Sequence, residues 1–156
     1  MTDYKSVSTP MSWTMKLSAQ GGAHYRSIVG ALQYVTLTRP DVAYAVNHAC
    51  QYMHAPTNNQ WSLVKRIMRY LKGTQHHWLV LRRSSDFSLQ AFSDADWARN
   101  NDHRKSTDGY AIFLDPNLIS WASKKQCTVA RSSTDAEYKA LAVACAELTW
   151  LRSLFA

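Results

Sequence analysis

Apolar residues recur at two different periods along this chain, and the switch between them divides it. Tyr25, Ile28, Val29, Leu32 and Val35 return every three or four positions, the spacing of one helical face. Thr38-Arg39-Pro40-Asp41 breaks that run, and proline suits the first turn of a new helix. Val42, Ala45, Val46, Ala49, Cys50 and Met53 give this second helix a compact apolar face, with Pro56 as its expected end. Thr57-x-x-Gln60 is a capping-box pattern for a third helix. Its buried stripe is expected through Trp61, Val64, Met68 and Leu71, with Gly73 as the C-terminal cap.

From Trp78 the period shortens. Trp78 to Leu81, Phe87 to Ser93 and Gly109 to Leu114 read as strands, the last followed by an Asp115-Pro116-Asn117 turn. Leu118 to Trp121 and Thr128 to Arg131 read as further strand segments, and Ala98 to Thr107 as a polar loop. A final helix runs from about Ser133, with an expected stripe of Leu141, Ala144, Leu148, Leu151 and Phe155. Three parts follow: an extended arm at 1–22, rich in Ser, Thr and Gly, a helical region at 23–84, and a sheet-and-helix region at 85–156. The fold class expected is mixed α/β.

Composition adds one strong asymmetry. The 156 residues carry 18 Lys and Arg against 11 Asp and Glu, a net charge of +7. From Val42 to Ser85 there is no acid at all, while Lys65, Arg66, Arg69, Lys72, Arg82 and Arg83 fall there. A balance of this kind favours an anionic partner, with nucleic acid first, and leaves the fold undetermined. The three cysteines are an odd number with no C-x-x-C, so neither a disulfide framework nor a zinc knuckle is expected. A reducing intracellular compartment, cytoplasmic or nuclear, is the simplest reading. No apolar run is long enough to span a bilayer, so no membrane partner is expected.

Four cations and three acids are the candidates for chemistry. Lys65, Arg66, Arg69 and Lys72 lie opposite the third helix's apolar stripe. They read either as a solvated face or, lacking any acidic partner on that helix, as a track for nucleic-acid phosphates. Asp94 and Asp96 sit at a strand end, where short carboxylates also make turns with the next backbone amides. Glu137 lies four residues before Leu141. It reads as the charged head of the stripe, or as half of a Thr134-x-x-Glu137 capping box. Carboxylates brought together from a strand end and a helix start can hold a hard divalent cation such as Mg²⁺, and two such ions can carry phosphodiester hydrolysis. His76 and His77 are adjacent, point different ways and have no third ligand nearby. Nucleophile-elbow, zinc-protease and Walker motifs are missing.

Several segments, in order, resemble the Pol polyprotein of copia-type LTR retrotransposons where reverse transcriptase joins ribonuclease H. They are His24–Tyr34, Thr38–Val46, Lys65–Thr74, Ser93–Ala98, Arg104–Thr107, Ile119–Gln126 and Ser132–Tyr138. Arg99 and Asp135 depart from the family's pattern. The resemblance implies a helical thumb and connection segment of the polymerase, followed by an incomplete ribonuclease H-like domain. It implies Mg²⁺-dependent cleavage of RNA in RNA–DNA hybrids, with Asp94 and Glu137 as two of the catalytic carboxylates and Asp96 as an auxiliary. The family's third carboxylate follows the helix that begins near Glu137, and no residue here fills that role. The expectation is a nucleic-acid-binding fragment, inactive alone, with an RNA–DNA hybrid or duplex and the rest of a Pol polyprotein as partners. The rival expectation is a transposon remnant that neither binds nor cleaves.

Overall fold

The computed structural model describes Pro10, residues 22–97 and residues 104–155. Its elements run α1 (Gly22–Val35), α2 (Pro40–Cys50), α3 (Asn58–Gly73), β1 (Leu89–Asp96), β2 (Thr107–Leu114), β3 (Asn117–Lys125) and α4 (Ser133–Phe155). The chain is mixed α/β. It divides into two compact units, Met1–Leu79 and Val80–Ala156. The expected arm lies outside the described residues apart from Pro10 and Gly22, as do residues 98–103 of the expected polar loop.

The first unit is three helices closed on one apolar core. Tyr25, Val29 and Leu32 of α1 meet Val42, Ala45, Val46 and Ala49 of α2 and Leu63, Val64, Ile67 and Tyr70 of α3. Fully burying a side chain of this size stabilises by about 1.5–3 kcal/mol, so this cluster holds the unit together. Tyr25 is wholly buried. Its hydroxyl donates to the Ala49 carbonyl at 2.9 Å, and its ring meets Trp61 edge-on at 5.5 Å. Pro40 opens α2, and the Thr57/Gln60 capping box opens α3, the Thr57 amide donating to Gln60 Oε1 at 2.6 Å.

Some details of this unit differ from the pattern. The buried face of α3 centres on Gln60, Leu63, Val64, Ile67 and Tyr70, while Trp61, Met68 and Leu71 flank it half-buried. Two helices pack on α3's neighbourhood from α1 and α2, so its buried face is wider than a single stripe. Helix α2 ends at Cys50, before Pro56, and Thr74 rather than Gly73 caps α3.

The second unit is a three-stranded antiparallel sheet, order β1-β2-β3, with α4 against β1 and β2. The β1–β2 ladder is unbroken from Leu89↔Leu114 to Asp96↔Thr107. The β2–β3 ladder shifts register between Ile112 and Phe113. Asp115 takes φ 51°, the left-handed region that Asp tolerates, and so closes the two-residue turn into β3. Trp78 to Leu81 is not a strand, and neither is Thr128 to Arg131. The segment after Leu79 is instead pinned as extended chain. Asn117 accepts from the Arg82 amide at 2.6 Å and donates to the Arg82 carbonyl at 2.9 Å, while Ser84 hydrogen-bonds Asp115. Those bonds carry Val80–Ser88 into the second unit, so the division falls before the boundary between residues 84 and 85 expected where helical spacing gives way to strands.

Helix α4 corrects the expected stripe. It buries Ala136, Ala140, Ala144 and Leu151, while Leu141 is 48% and Phe155 54% exposed. Short alanine side chains let the helix approach the sheet closely, and the bulkier residues other than Leu151 turn largely outward. The cap is also two residues earlier than expected. Ser132 Oγ accepts from the Asp135 amide at 3.1 Å, and Asp135 Oδ2 accepts from the Arg131 amide at 2.9 Å. This is the reciprocal logic of a capping box, met by Ser132 and Asp135 rather than Thr134 and Glu137.

Candidate nucleic-acid interface and carboxylates

The helical unit concentrates positive charge. Residues 22–79 contain six Lys and Arg against one acid, Asp41. Arg39 consumes that acid. Its Nε donates to Asp41 Oδ1 at 2.9 Å and its Nη2 to Oδ2 at 2.7 Å, a planar two-pronged pair. Arg39 also donates to the Thr74 carbonyl at 3.0 Å and hydroxyl at 2.7 Å, and the Tyr70 hydroxyl donates to Asp41 Oδ2 at 2.8 Å. The pair therefore ties the start of α2 to the end of α3. The guanidinium beside it holds the Asp41 carboxyl below the usual carboxylate range. The sequence gives this segment as a helix break, a helix-opening proline and part of the family resemblance, without the ion pair. The one available signal was an Arg and an Asp flanking a helix-opening proline.

With Asp41 paired to Arg39, α3 itself carries four cations and no acid. Lys65 and Lys72 are exposed, and Arg66 and Arg69 are half-buried. All four lie off the Gln60–Tyr70 buried face, where sequence placed them. The Arg69 Nε is buried without a hydrogen-bond partner among the described residues. Cations in succession along one helix can neutralise successive phosphates of a nucleic-acid backbone.

The carboxylates of the second unit are spread over both faces of the sheet. Side chains alternate along a strand, and paired residues share a face. Asp94 pairs with Gly109 and Asp96 with Thr107, so both share a face with Phe92 and Phe113. Asp108 pairs with Ala95 and takes the other face, with Ile112. That second face meets α4: Ser120, paired with Ile112, donates to Glu147 at 2.9 Å. The Gln126 amide likewise bridges the Asp108 carboxylate and the Ala136 carbonyl, the latter at 3.0 Å. Asp94 is exposed, its carboxylate accepting from the Ala95 amide at 2.8 Å, and Glu137 is exposed at the first turns of α4. Among the described residues no group of three or more His, Cys, Asp or Glu stands together as a metal site.

Asp108 and Gln126 escaped sequence reading. Burial pushes the Asp108 carboxyl up, against the Gln126 hydrogen bond and the charge of Lys139. Gln126 is buried, and together they fix the end of β3 and the start of α4 to the sheet. A polar residue directly after a strand gives no hint of that role.

Comparison with known proteins places the chain. It is 48% identical over 160 residues to a retrovirus-related Pol polyprotein from a transposon of Arabidopsis thaliana, covering 99% of this chain and 11% of that protein. The chain belongs to the copia-type retrotransposon Pol family. An uncharacterized mitochondrial protein of Arabidopsis thaliana is 50% identical over 96% of this chain and 65% of its own length. A secreted RxLR effector protein of Plasmopara viticola is 45% identical over 81% of this chain and 90% of its own length. The chain thus spans about a tenth of the transposon Pol polyprotein and about two thirds of the mitochondrial protein. No family model matches it. No solved structure matches it. No helix among the described residues is long and apolar enough to cross a membrane.

Proposed function

We propose that this chain is a nucleic-acid-binding part of a copia-type Pol polyprotein. Residues 23–84 serve as the thumb-like tail of the reverse transcriptase, and residues 85–156 as the first part of a ribonuclease H-like domain. The observation that carries the reading is the gathering of Lys65, Arg66, Arg69 and Lys72 on α3, a helix without an acid, off its buried face. These cations grip phosphates of an RNA–DNA hybrid or duplex without reading sequence.

Asp94 and Asp96 on one face of the sheet, and Glu137 on the helix that packs against the other, are oxygen donors of the kind Mg²⁺ takes. When bound, the ion would polarise the scissile phosphate and the attacking water. The donor chemistry fits, but the set is incomplete, with no cluster of three among the described residues. The chain alone therefore binds hybrid and does not cleave it.

The test is binding of a fluorescently labelled RNA–DNA hybrid across a salt series. Log affinity should fall linearly with log salt, by about 0.7–0.9 per phosphate neutralised. Binding that is absent at low salt, or insensitive to salt, overturns the proposal. The second reading, a remnant that neither binds nor cleaves, is favoured by the small core of the second unit. Its buried apolar residues are Ile112, Leu151 and four alanines. A broad thermal transition without cooperativity would support that reading instead.

A further inference from the structure

Two hydroxyls in the 156 residues have a pair of cations two and three positions before them. Arg82-Arg83-Ser84-Ser85 presents Ser85, and Arg104-Lys105-Ser106-Thr107 presents Thr107. The fold separates the two. Thr107 is half-buried on the central strand, held between Asp96 of β1 and Lys125 of β3, and Ser106 before it is wholly buried. Ser85 is exposed and lies in the extended stretch before β1, in neither helix nor strand. Arg82 and Arg83 are exposed too, and neither forms an ion pair among the described residues. Ser84 is half-buried, with its hydroxyl on the Asp115 carboxylate. The bonds between Asn117 and the Arg82 backbone, and from the Asp86 amide to Ser84 Oγ, are exposed to solvent. Bonds of that kind open locally at low cost.

We propose that Ser85 is the phosphorylation site of a protein kinase that selects arginine two and three residues before its acceptor. Such an enzyme takes its substrate as an extended peptide and meets each guanidinium with a carboxylate, the two-pronged pairing for which arginine is shaped. The Ser85 hydroxyl oxygen attacks the γ-phosphorus of a nucleoside triphosphate. The bond from that phosphorus to the bridging oxygen breaks and the nucleoside diphosphate leaves. The hydroxyl proton passes to the kinase's catalytic carboxylate. The phosphoserine carries about −1.5 to −2 charges at neutral pH. It stands next to Asp86, with Arg82 and Arg83 as its near counter-ions. Residues 80–156 carry ten Lys and Arg against nine acids, so one phosphate turns the second unit from weakly basic to acidic. The site is separate from the α3 cations and does not depend on hybrid binding.

The test incubates the folded 156-residue chain with Mg²⁺-ATP and the catalytic subunit of cyclic-AMP-dependent protein kinase, an enzyme of this selectivity. Tandem mass spectrometry then locates the phosphate. One phosphate is expected, on Ser85. Ser85→Ala should abolish the labelling, and Ser84→Ala and Thr107→Val should leave it, each variant checked for unchanged circular dichroism. Arg82→Ala and Arg83→Ala should each lower the kinase's kcat/KM by about 10- to 100-fold, the worth of a hydrogen bond to a charged group. No phosphate at all overturns the proposal. So does phosphate on Thr107 or another residue in place of Ser85, or a rate indifferent to both arginines.

Discussion

Arg39 holds Asp41 through two hydrogen bonds of 2.9 and 2.7 Å, and the same guanidinium reaches the end of α3 at Thr74. One ion pair thus ties the start of α2 to the end of α3 and engages the one acid among the unit's described residues. Arg39→Ala leaves Asp41 with only the Tyr70 hydroxyl as side-chain donor, and Asp41→Asn leaves a buried guanidinium short of its anion. Either change should destabilise the chain by about 2–3 kcal/mol, measured by urea unfolding.

The same pair sets a pH dependence. The folded carboxyl of Asp41 titrates below its ordinary value of 3.8, so its contribution is fully present above that value. It is lost as pH falls through 3.8 and on through the lower folded value. Wild-type chain should lose more stability than Asp41→Asn on acidification from about pH 5 to pH 3. Parallel acid unfolding curves for the two would refute this.

Tyr25 carries a second, independent tie. Burial pushes its phenol well above the ordinary range, so the hydroxyl stays a donor to the Ala49 carbonyl at every working pH. Tyr25→Phe keeps the ring against Trp61 and removes only the hydrogen bond. A loss of about 1–2 kcal/mol in thermal unfolding is expected, with hybrid affinity unchanged once the chain is folded.

The helices of the first unit were legible because each has one apolar face and a strong punctuation signal, Pro40 or the Thr57/Gln60 box. Helix α4 is legible as a helix, but of its expected stripe only Ala144 and Leu151 are buried, while Leu141 and Phe155 are exposed. Its alanines, leucines and aromatics leave no single polar face, and periodicity cannot tell which apolar residues meet the sheet. Its cap was misplaced for a related reason. Ser132, Ser133 and Thr134 are all good N-caps, and an acid follows at Asp135 and Glu137, so two boxes fit the same residues. Trp78 to Leu81 and Thr128 to Arg131 read as strands and are not, because short apolar runs carry no length signal. Asp94, Asp96 and Glu137 could be named from the resemblance, but their distribution over the two faces of the sheet follows only from strand register.

Ser132→Ala tests the corrected cap. It removes the acceptor for the Asp135 amide and should cost about 1 kcal/mol, while Thr134→Ala should cost little. Equal losses, or a larger loss at Thr134, would return the cap to the later position.

The cations of α3 should behave as a set. Lys65→Ala and Lys72→Ala each remove one phosphate contact and should lower the salt slope of hybrid binding by about one unit, uniformly across sequences. Arg82→Ala should change neither affinity nor slope. A variant that loses affinity on one hybrid sequence and keeps it on another would mean base contacts, against a backbone grip.

Hybrid cleavage decides the catalytic half of the proposal. With Mg²⁺ the wild-type chain should show no cleavage above background, because Asp94 and Glu137 alone give too few ligands for a two-ion site. Asp94→Asn and Glu137→Gln should then match wild type in cleavage and keep its hybrid affinity, since neither residue belongs to the basic face. Robust cleavage lost in both variants would mean that a further ligand joins them, and the incomplete site would have to be abandoned. Asp108 would be the first residue to substitute next, because its half-buried carboxylate stands on β2 next to β1 and is joined through the Gln126 amide to the start of α4.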